Sequence, residues 1–284
     1  MKSLDPKITQ KIAFALLLCA TLMILVPVAL ILIMIVQKGL PAITWQFLTD
    51  VPRHGMREGG IFPAIVGTLY LVSGAIAFAL PIGVLAAIYL SEYAKDNMLT
   101  RTIKLAIVNL AGVPSVVYGL FGLALFVIFF KLGASIIAGS LTLGIMVLPL
   151  IITASREALE SVPQNFREVS LSLGASRWQT IRNIVLPNAI PGILTGTILG
   201  IGRAAGETAP ILFTVAAFYL PQLPKSMYDQ AMALPYHVYV ISTQVPNVDE
   251  KIRYGTAMVL VGLVLFMNLI AIVIRSHLRK NKKW

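Results

Sequence analysis

Six long apolar stretches separated by polar segments organise this chain. Residues free of Asp, Glu, Lys and Arg run over 12–37, 59–91, 105–130, 132–155, 183–202 and 254–274, and the fifth stretch continues beyond Arg203. Uncharged apolar runs of about 18 or more residues predict helices long enough to cross a bilayer. The pattern therefore predicts an all-α membrane protein with six transmembrane helices. One membrane domain accounts for residues 1–284, with 1–61 as an N-terminal anchor helix and external loop and 62–279 as the core. The first run is longer than the roughly 7–15 apolar residues of a signal peptide, and no small-x-small site clearly closes it, so it reads as a retained anchor.

Proline interrupts the pattern at Pro27, Pro81 and Pro149, and in Gly112-Val113-Pro114-Ser115 near the start of the third run. A proline inside a helix removes a backbone donor and presses on the preceding turn, which predicts kinks at these sites. Pro81 and Pro114 are therefore read as shaping residues. Beyond the fifth run, residues 225–244 carry Met227, Met232, Leu234, Tyr236, Tyr239 and Ile241 among polar neighbours. That segment reads as a short interfacial helix, either packed on the membrane surface or in contact with an external binding protein.

Composition agrees with the pattern: 57% of residues are hydrophobic and 12% are charged, and the mean hydropathy is +0.84. The formal net charge of +11 is unevenly spread. Lys2, Lys7, Lys11, Lys95, Arg101, Lys104, Arg156, Arg167, Arg177, Arg182 and five basic residues after 274 fall on one side of a six-span topology. These are 15 basic residues against 7 on the other side. The richer side is the cytoplasmic one, which predicts that both termini are inside and removes any need for a nucleic-acid partner. The lone Cys19 excludes an intrachain disulfide. His54, His237 and His277 stand far apart, and neither a metal nor an acid–base centre is expected of them.

Residues 156–187 form a cytoplasmic loop in this topology. Ser161-Val162-Pro163 reads as a helix start, with proline where its missing donor costs little. Val162, Phe166, Val169 and Leu173 then recur at helical spacing as one apolar stripe, with Gln164, Arg167 and Glu168 on the other face. Gly174 suits the left-handed position that closes a helix. Ser176 and Gln179 have capping-box spacing for a second short helix through Trp178 and Ile181, ending before Pro187. Two short helices meeting at a glycine make a compact plug for a cleft on a partner. The order Glu168-Val169-Ser170, Gly174, Ile184-Val185-Leu186-Pro187 resembles the EAA-loop of ABC importer permeases, with Val169 and Ser170 in the positions of the family's two alanines. Arg156-Glu157-Ala158, Leu173-Gly174-Ala175-Ser176 and Asn188-Ala189-Ile190-Pro191-Gly192-Ile193 extend the likeness. The resemblance implies a type I ABC importer permease fold and docking of a separate ATPase through Phe166, Arg167, Glu168, Leu173 and Gly174. The chain has no G-x-x-x-x-G-K-[ST] phosphate loop, so it is not expected to be the motor or any other enzyme.

The fifth run holds Gly200-Ile201-Gly202-Arg203-Ala204-Ala205-Gly206-Glu207-Thr208-Ala209-Pro210. A helix restarting after Pro191 would bring Arg203 near the bilayer centre. A charge there costs about 2.5–3.5 kcal/mol on insertion scales and must face protein or water. Glu207, four residues on, is within reach of it. Gly206 thins this face, and Pro210 cannot donate to the Gly206 carbonyl, leaving that acceptor free. The pair could simply neutralise two buried charges. It could also serve an anion, because the guanidinium fork matches phosphate oxygens.

The stretch 202–210 followed by Leu212-Phe213-Thr214 is similar to the PstA family of permeases from bacterial phosphate-specific ABC importers. Ala111-Gly112-Val113-Pro114-Ser115, Ala231-Met232-Ala233-Leu234-Pro235 and Ser242-Thr243-Gln244 share the likeness. It implies a phosphate pathway through Arg203, Glu207 and Thr208. It also implies a PstC-like second permease, a PstB-like ATPase dimer and an external PstS-like phosphate-binding protein, in a bacterial inner membrane. No cofactor is expected on this chain, since ATP and magnesium would belong to the ATPase. A permease for another oxyanion, such as phosphonate or molybdate, and an ATP-independent secondary transporter are the competing readings.

Overall fold

The computed structural model describes residues 6–280. Lys2, Lys282 and Lys283, which contribute to the charge asymmetry, lie outside the described residues. Helix α1, Pro6–Gly39, is followed by the short α2, Trp45–Thr49, and a two-stranded antiparallel hairpin of β1, Pro52–Arg53, and β2, Glu58–Gly59. Next come α3, Phe62–Ile88, and α4, Met98–Ala111. The chain continues through α5, Ser115–Gly122, α6, Ile136–Glu160, α7, Gln164–Ser172, and α8, Arg177–Thr180. It closes with α9, Leu186–Gly206, α10, Ala209–Thr214, α11, Leu234–Thr243, and α12, Glu250–Lys280.

Five helical stretches among the described residues are long and apolar enough to cross a membrane. A sixth is reached only where a bent pair counts as one span: α4 and the helix Ser115–Phe129 meet at 101°. The third apolar run is thus not one straight span. Its break falls at Pro114, whose φ of −58° and ψ of 139° are extended; proline fixes the first angle and cannot supply a donor to carry the helix onward. The Tyr118 hydroxyl donates to the Leu110 carbonyl at 2.8 Å and ties the two arms together. Pro27, Pro81 and Pro149 lie inside helices that stay continuous.

The second departure concerns the fifth span. The expected short helix does not end before Pro187, and no helix restarts after Pro191. One 30-residue stretch runs from Arg177 to Gly206. A widened π turn at Ile181–Val185 precedes Pro187, where a proline ring would otherwise press on the carbonyl four residues back.

Helices α3, α6 and α9 form the centre, and three apolar clusters stack along it. Ala87, Ile88, Leu159, Val162, Ile181 and Val185 pack at the end that carries residues 156–187. Leu71, Ala75, Leu143, Met146, Ile151 and Ile211 fill the middle. Phe47, Met56, Ile61, Met232, Leu234 and Ile241 close the opposite end. There α11 is not an interfacial helix: Leu234, His237 and Ile241 are buried in the bundle, while Tyr239 remains exposed. By contrast α1 is exposed along its apolar length and touches α12 near its end, where Lys38 pairs with Glu250 at 3.0 Å.

Candidate functional site

Residues 156–187 fold as the expected helix–glycine–helix unit. The amide of Gly174 donates to Leu171 O at 3.0 Å and that of Ala175 to Ser170 O at 3.2 Å. These two bonds close α7 as a Schellman motif, which requires left-handed backbone at the glycine. Gly174 has φ of +83°, and no atom lies within 4 Å of where a Cβ would stand. The α8 cap is the predicted box: Ser176 Oγ accepts from Gln179 N, and Gln179 Oε1 accepts from Ser176 N at 2.7 Å.

The faces of α7 are arranged differently from the expectation. Of the apolar stripe only Val162, just before the helix, is buried; Phe166, Val169 and Leu173 are 40%, 60% and 83% exposed. They border a groove of about 520 Å³ that also includes Pro163, Ala175 and Ile184. The inward face is polar instead, formed by Arg167 and Ser170. Arg167 was expected beside Glu168 on an outer docking face, and this is corrected. Its guanidinium is buried and donates to Glu92 Oε1 at 2.7 Å, to Val162 O at 2.6 Å and to Leu159 O at 2.9 Å. Ser170 Oγ and Thr180 Oγ1 lie 2.9 Å apart and join α7 to α8. Glu168 remains exposed beside the groove.

Glu92 was missed by sequence reasoning. It sits in a π turn, Tyr89–Tyr93, that extends α3. This turn grips both loop helices, because the neighbouring Tyr93 ring lies 5.2 Å from the Arg177 guanidinium carbon. The available signal was an acidic residue placed directly after a 33-residue uncharged run.

Arg203 occupies the last turn of α9, and Glu207 follows as its C-cap with extended backbone, φ −79° and ψ 134°. Arg203 Nε and Glu207 Oε1 are 3.7 Å apart, and both side chains are partly exposed. The structure brings this expected pair together at the end of a helix rather than along one. Depth follows from the packing of α9 on α6. Gly192 abuts Ala158, Gly196 abuts Ala154, and Gly200 approaches Ile151; one further turn puts Arg203 level with residues 147–148, the middle of α6.

Thr208 stands in the break between the helices as the N-cap of α10, and its carbonyl accepts from Leu212 N at 3.1 Å. Pro210 lies in the first turn of α10. Its missing donor is therefore an N-terminal one, and Pro210 does not free the Gly206 carbonyl inside a helix as its sequence position suggests. Gly206 is exposed, with no atom near its Cβ position. On α12, the Asn268 amide faces Gly202, and its Oδ1 is buried without a hydrogen-bond partner.

Comparison with known proteins follows the same lines. Residues 79–283 match the family model described as binding-protein-dependent transport system inner membrane component. A probable ABC transporter permease protein of Bacillus subtilis, YqgI, is 35% identical over 93% of this chain and 94% of its own. The phosphate transport system permease protein PstA 1 of Mycobacterium tuberculosis is 33% identical over 99% of this chain and 92% of its own. Among solved structures, a bacterial ABC transporter involved in the import of the acidic polysaccharide alginate superposes with a TM-score of 0.67 at 16% identity, covering 97% of both chains. That likeness shows the fold of an ABC importer permease. This chain is a multi-pass membrane protein that belongs to the family of binding-protein-dependent transport system inner membrane components.

Proposed function

We propose that this chain is the permease subunit of an ATP-driven phosphate importer, forming half of the translocation pathway and docking its ATPase through residues 163–187. The observation that carries docking is the apolar stripe that α7 leaves outside while two of its polar residues turn inward. Arg167 and Ser170 make internal bonds, and Phe166, Val169 and Leu173 are exposed. Exposed apolar side chains on a rigidly held polar foundation suit a protein partner that covers them. Glu168 adds an acidic group for a cation at the rim, and Gly174 sets the angle between the two helices.

Phosphate as substrate is supported by the relatives: permeases named for phosphate transport in Mycobacterium tuberculosis and Methanocaldococcus jannaschii are 33% and 34% identical over nearly the whole chain. Arg203, with its fork of donors at mid-depth, is the residue assigned to attract the anion, and Glu207 and Thr208 flank it in the helix break. The partners assigned are a PstC-like permease, a PstB-like ATPase dimer that handles ATP and magnesium, and a PstS-like binding protein outside. A bacterial inner membrane with both chain termini cytoplasmic is the corresponding location. Affinity purification of the tagged chain from its native membrane tests this reading. An ATPase and a second permease copurifying with ATP-dependent phosphate uptake support it, and transport by the solitary chain contradicts it.

A further inference from the structure

We propose that Lys104 and Arg156 form an anion site between α4 and α6 that takes the phosphate group of an anionic phospholipid, at the end of the bundle that carries the docking loop. Both cations line one small pocket, with Thr153 as a hydroxyl donor and acceptor beside them. Among the described residues no carboxylate lies within ion-pair distance of Lys104. Its acidic neighbour Asp96 is taken by Arg101 in a two-pronged pair at 2.9 and 2.8 Å. Glu160 approaches Arg156 Nε only to 3.8 Å, and that buried Nε has no hydrogen-bond partner. Two cationic side chains lining one pocket, one of them with a buried donor that makes no hydrogen bond, suit an oxyanion.

The pocket's size separates two sources of that chemistry, a lipid headgroup and a free phosphate ion. Its volume is about 10 Å³, room for one oxygen-sized group rather than a whole phosphate ion. The remaining atoms of a ligand must lie outside, along Ile107 and Val108 on α4, and Val108 is 55% exposed. A phosphodiester whose acyl chains run along an apolar helix face meets both conditions. Basic pockets between membrane helices bind anionic headgroups in this way. Lys104, Ile107 and Val108 of α4 make one wall of the pocket, and Ile152, Thr153 and Arg156 of α6 the other.

Native mass spectrometry of the purified full-length chain in its membrane complex tests the site, with phosphatidylglycerol, phosphatidylcholine and inorganic phosphate as probes. Phosphatidylglycerol is expected to be retained over phosphatidylcholine. Lys104→Gln should weaken that retention about fivefold, and adding Arg156→Gln should abolish the preference. Lys95→Gln, a basic residue outside the pocket, should leave it unchanged. If Arg156→Gln fails to assemble, Lys104→Gln on the exposed α4 decides alone. Equal retention by wild type and Lys104→Gln overturns the site. Displacement of the lipid by inorganic phosphate, with the same dependence on Lys104, overturns the lipid assignment in favour of the free ion.

Discussion

Arg167 on α7 and Glu92 at the end of α3 form a buried two-pronged ion pair across 75 residues of chain, with Nη2 2.7 Å and Nε 3.2 Å from the carboxylate. The remaining guanidinium donors hold two carbonyls that end α6 and lead into α7, those of Leu159 and Val162. The guanidinium thereby fixes α7 to α3 and α6 together, two of the three helices at the centre of the bundle. Residues 156–187 are thus built as an extension of the core.

Removing one partner of such a pair leaves a buried charge uncompensated, at a cost of about 3–5 kcal/mol. Arg167→Met and Glu92→Gln should each lower thermal stability in detergent and release the ATPase. The double variant should recover most of the stability without recovering coupling, because the loop has lost its anchor. Arg167→Lys should fall between, since an ammonium cannot serve four acceptors in one plane. A full return of ATP-driven uptake in the double variant would show that the pair does not position the loop.

Gly174 makes a graded prediction. With φ of +83° and open space at its Cβ position, substitution strains the backbone without causing a clash. Asparagine tolerates this region and a β-branched residue does not, so Gly174→Asn should be mild and Gly174→Val should cost about 1–3 kcal/mol locally. ATPase association should follow the order glycine, asparagine, valine. Equal association in all three would remove the turn from the docking account.

His237 supplies a pH dependence. It is buried on α11, its Nδ1 has no partner, and burial pushes its pKa from 6.5 down to about 4. The unfolded chain therefore binds the extra proton first. Its contribution to stability should be full above about pH 6.5 and should be lost as pH drops toward 4, by about 3 kcal/mol over the window. His237→Leu should flatten melting temperature against pH in that range; an unchanged slope would place the dependence elsewhere.

Arg203 and Glu207 separate two roles. Arg203→Met should abolish phosphate uptake while the complex assembles. If the pair only neutralises charge, Arg203→Met with Glu207→Gln should restore transport, because neither charge is stranded. If Arg203 attracts the anion, the double variant stays inactive although stability recovers. Uptake and detergent melting, measured on the same preparations, distinguish the two.

The charge asymmetry predicts the orientation, and labelling checks it. In a Cys19→Ser background, a cysteine replacing Ser226 should react with an impermeant reagent from outside. One replacing Ser176 should react only after permeabilisation. Labelling of both from one side would reverse the docking assignment.

The loop at 156–187 was legible where its signals were local. Gly174 and the Ser176–Gln179 box act within a few residues, and their geometry is as the spacing predicted. The partner of Arg167 was not legible, because it lies 75 residues away and a polar residue on a short helix gives no sign of which way it faces. Hydropathy marked the third run but not its 101° bend, since Pro114 interrupts backbone bonding without altering apolar content. Pro187 and Pro191 suggested helix ends, and the π turn at Ile181–Val185 carried the helix through. Such a turn has no signature in side-chain pattern.

The most direct test is ATP-dependent phosphate uptake by proteoliposomes containing the copurified complex, comparing wild type with Leu173→Glu. Leu173 is 83% exposed, so the change leaves the fold and internal bonds of α7 intact while placing a charge on its outward apolar face. The predicted result is normal insertion with loss of both ATPase association and uptake. Uptake at the wild-type rate with Leu173→Glu fully incorporated would contradict docking through this face.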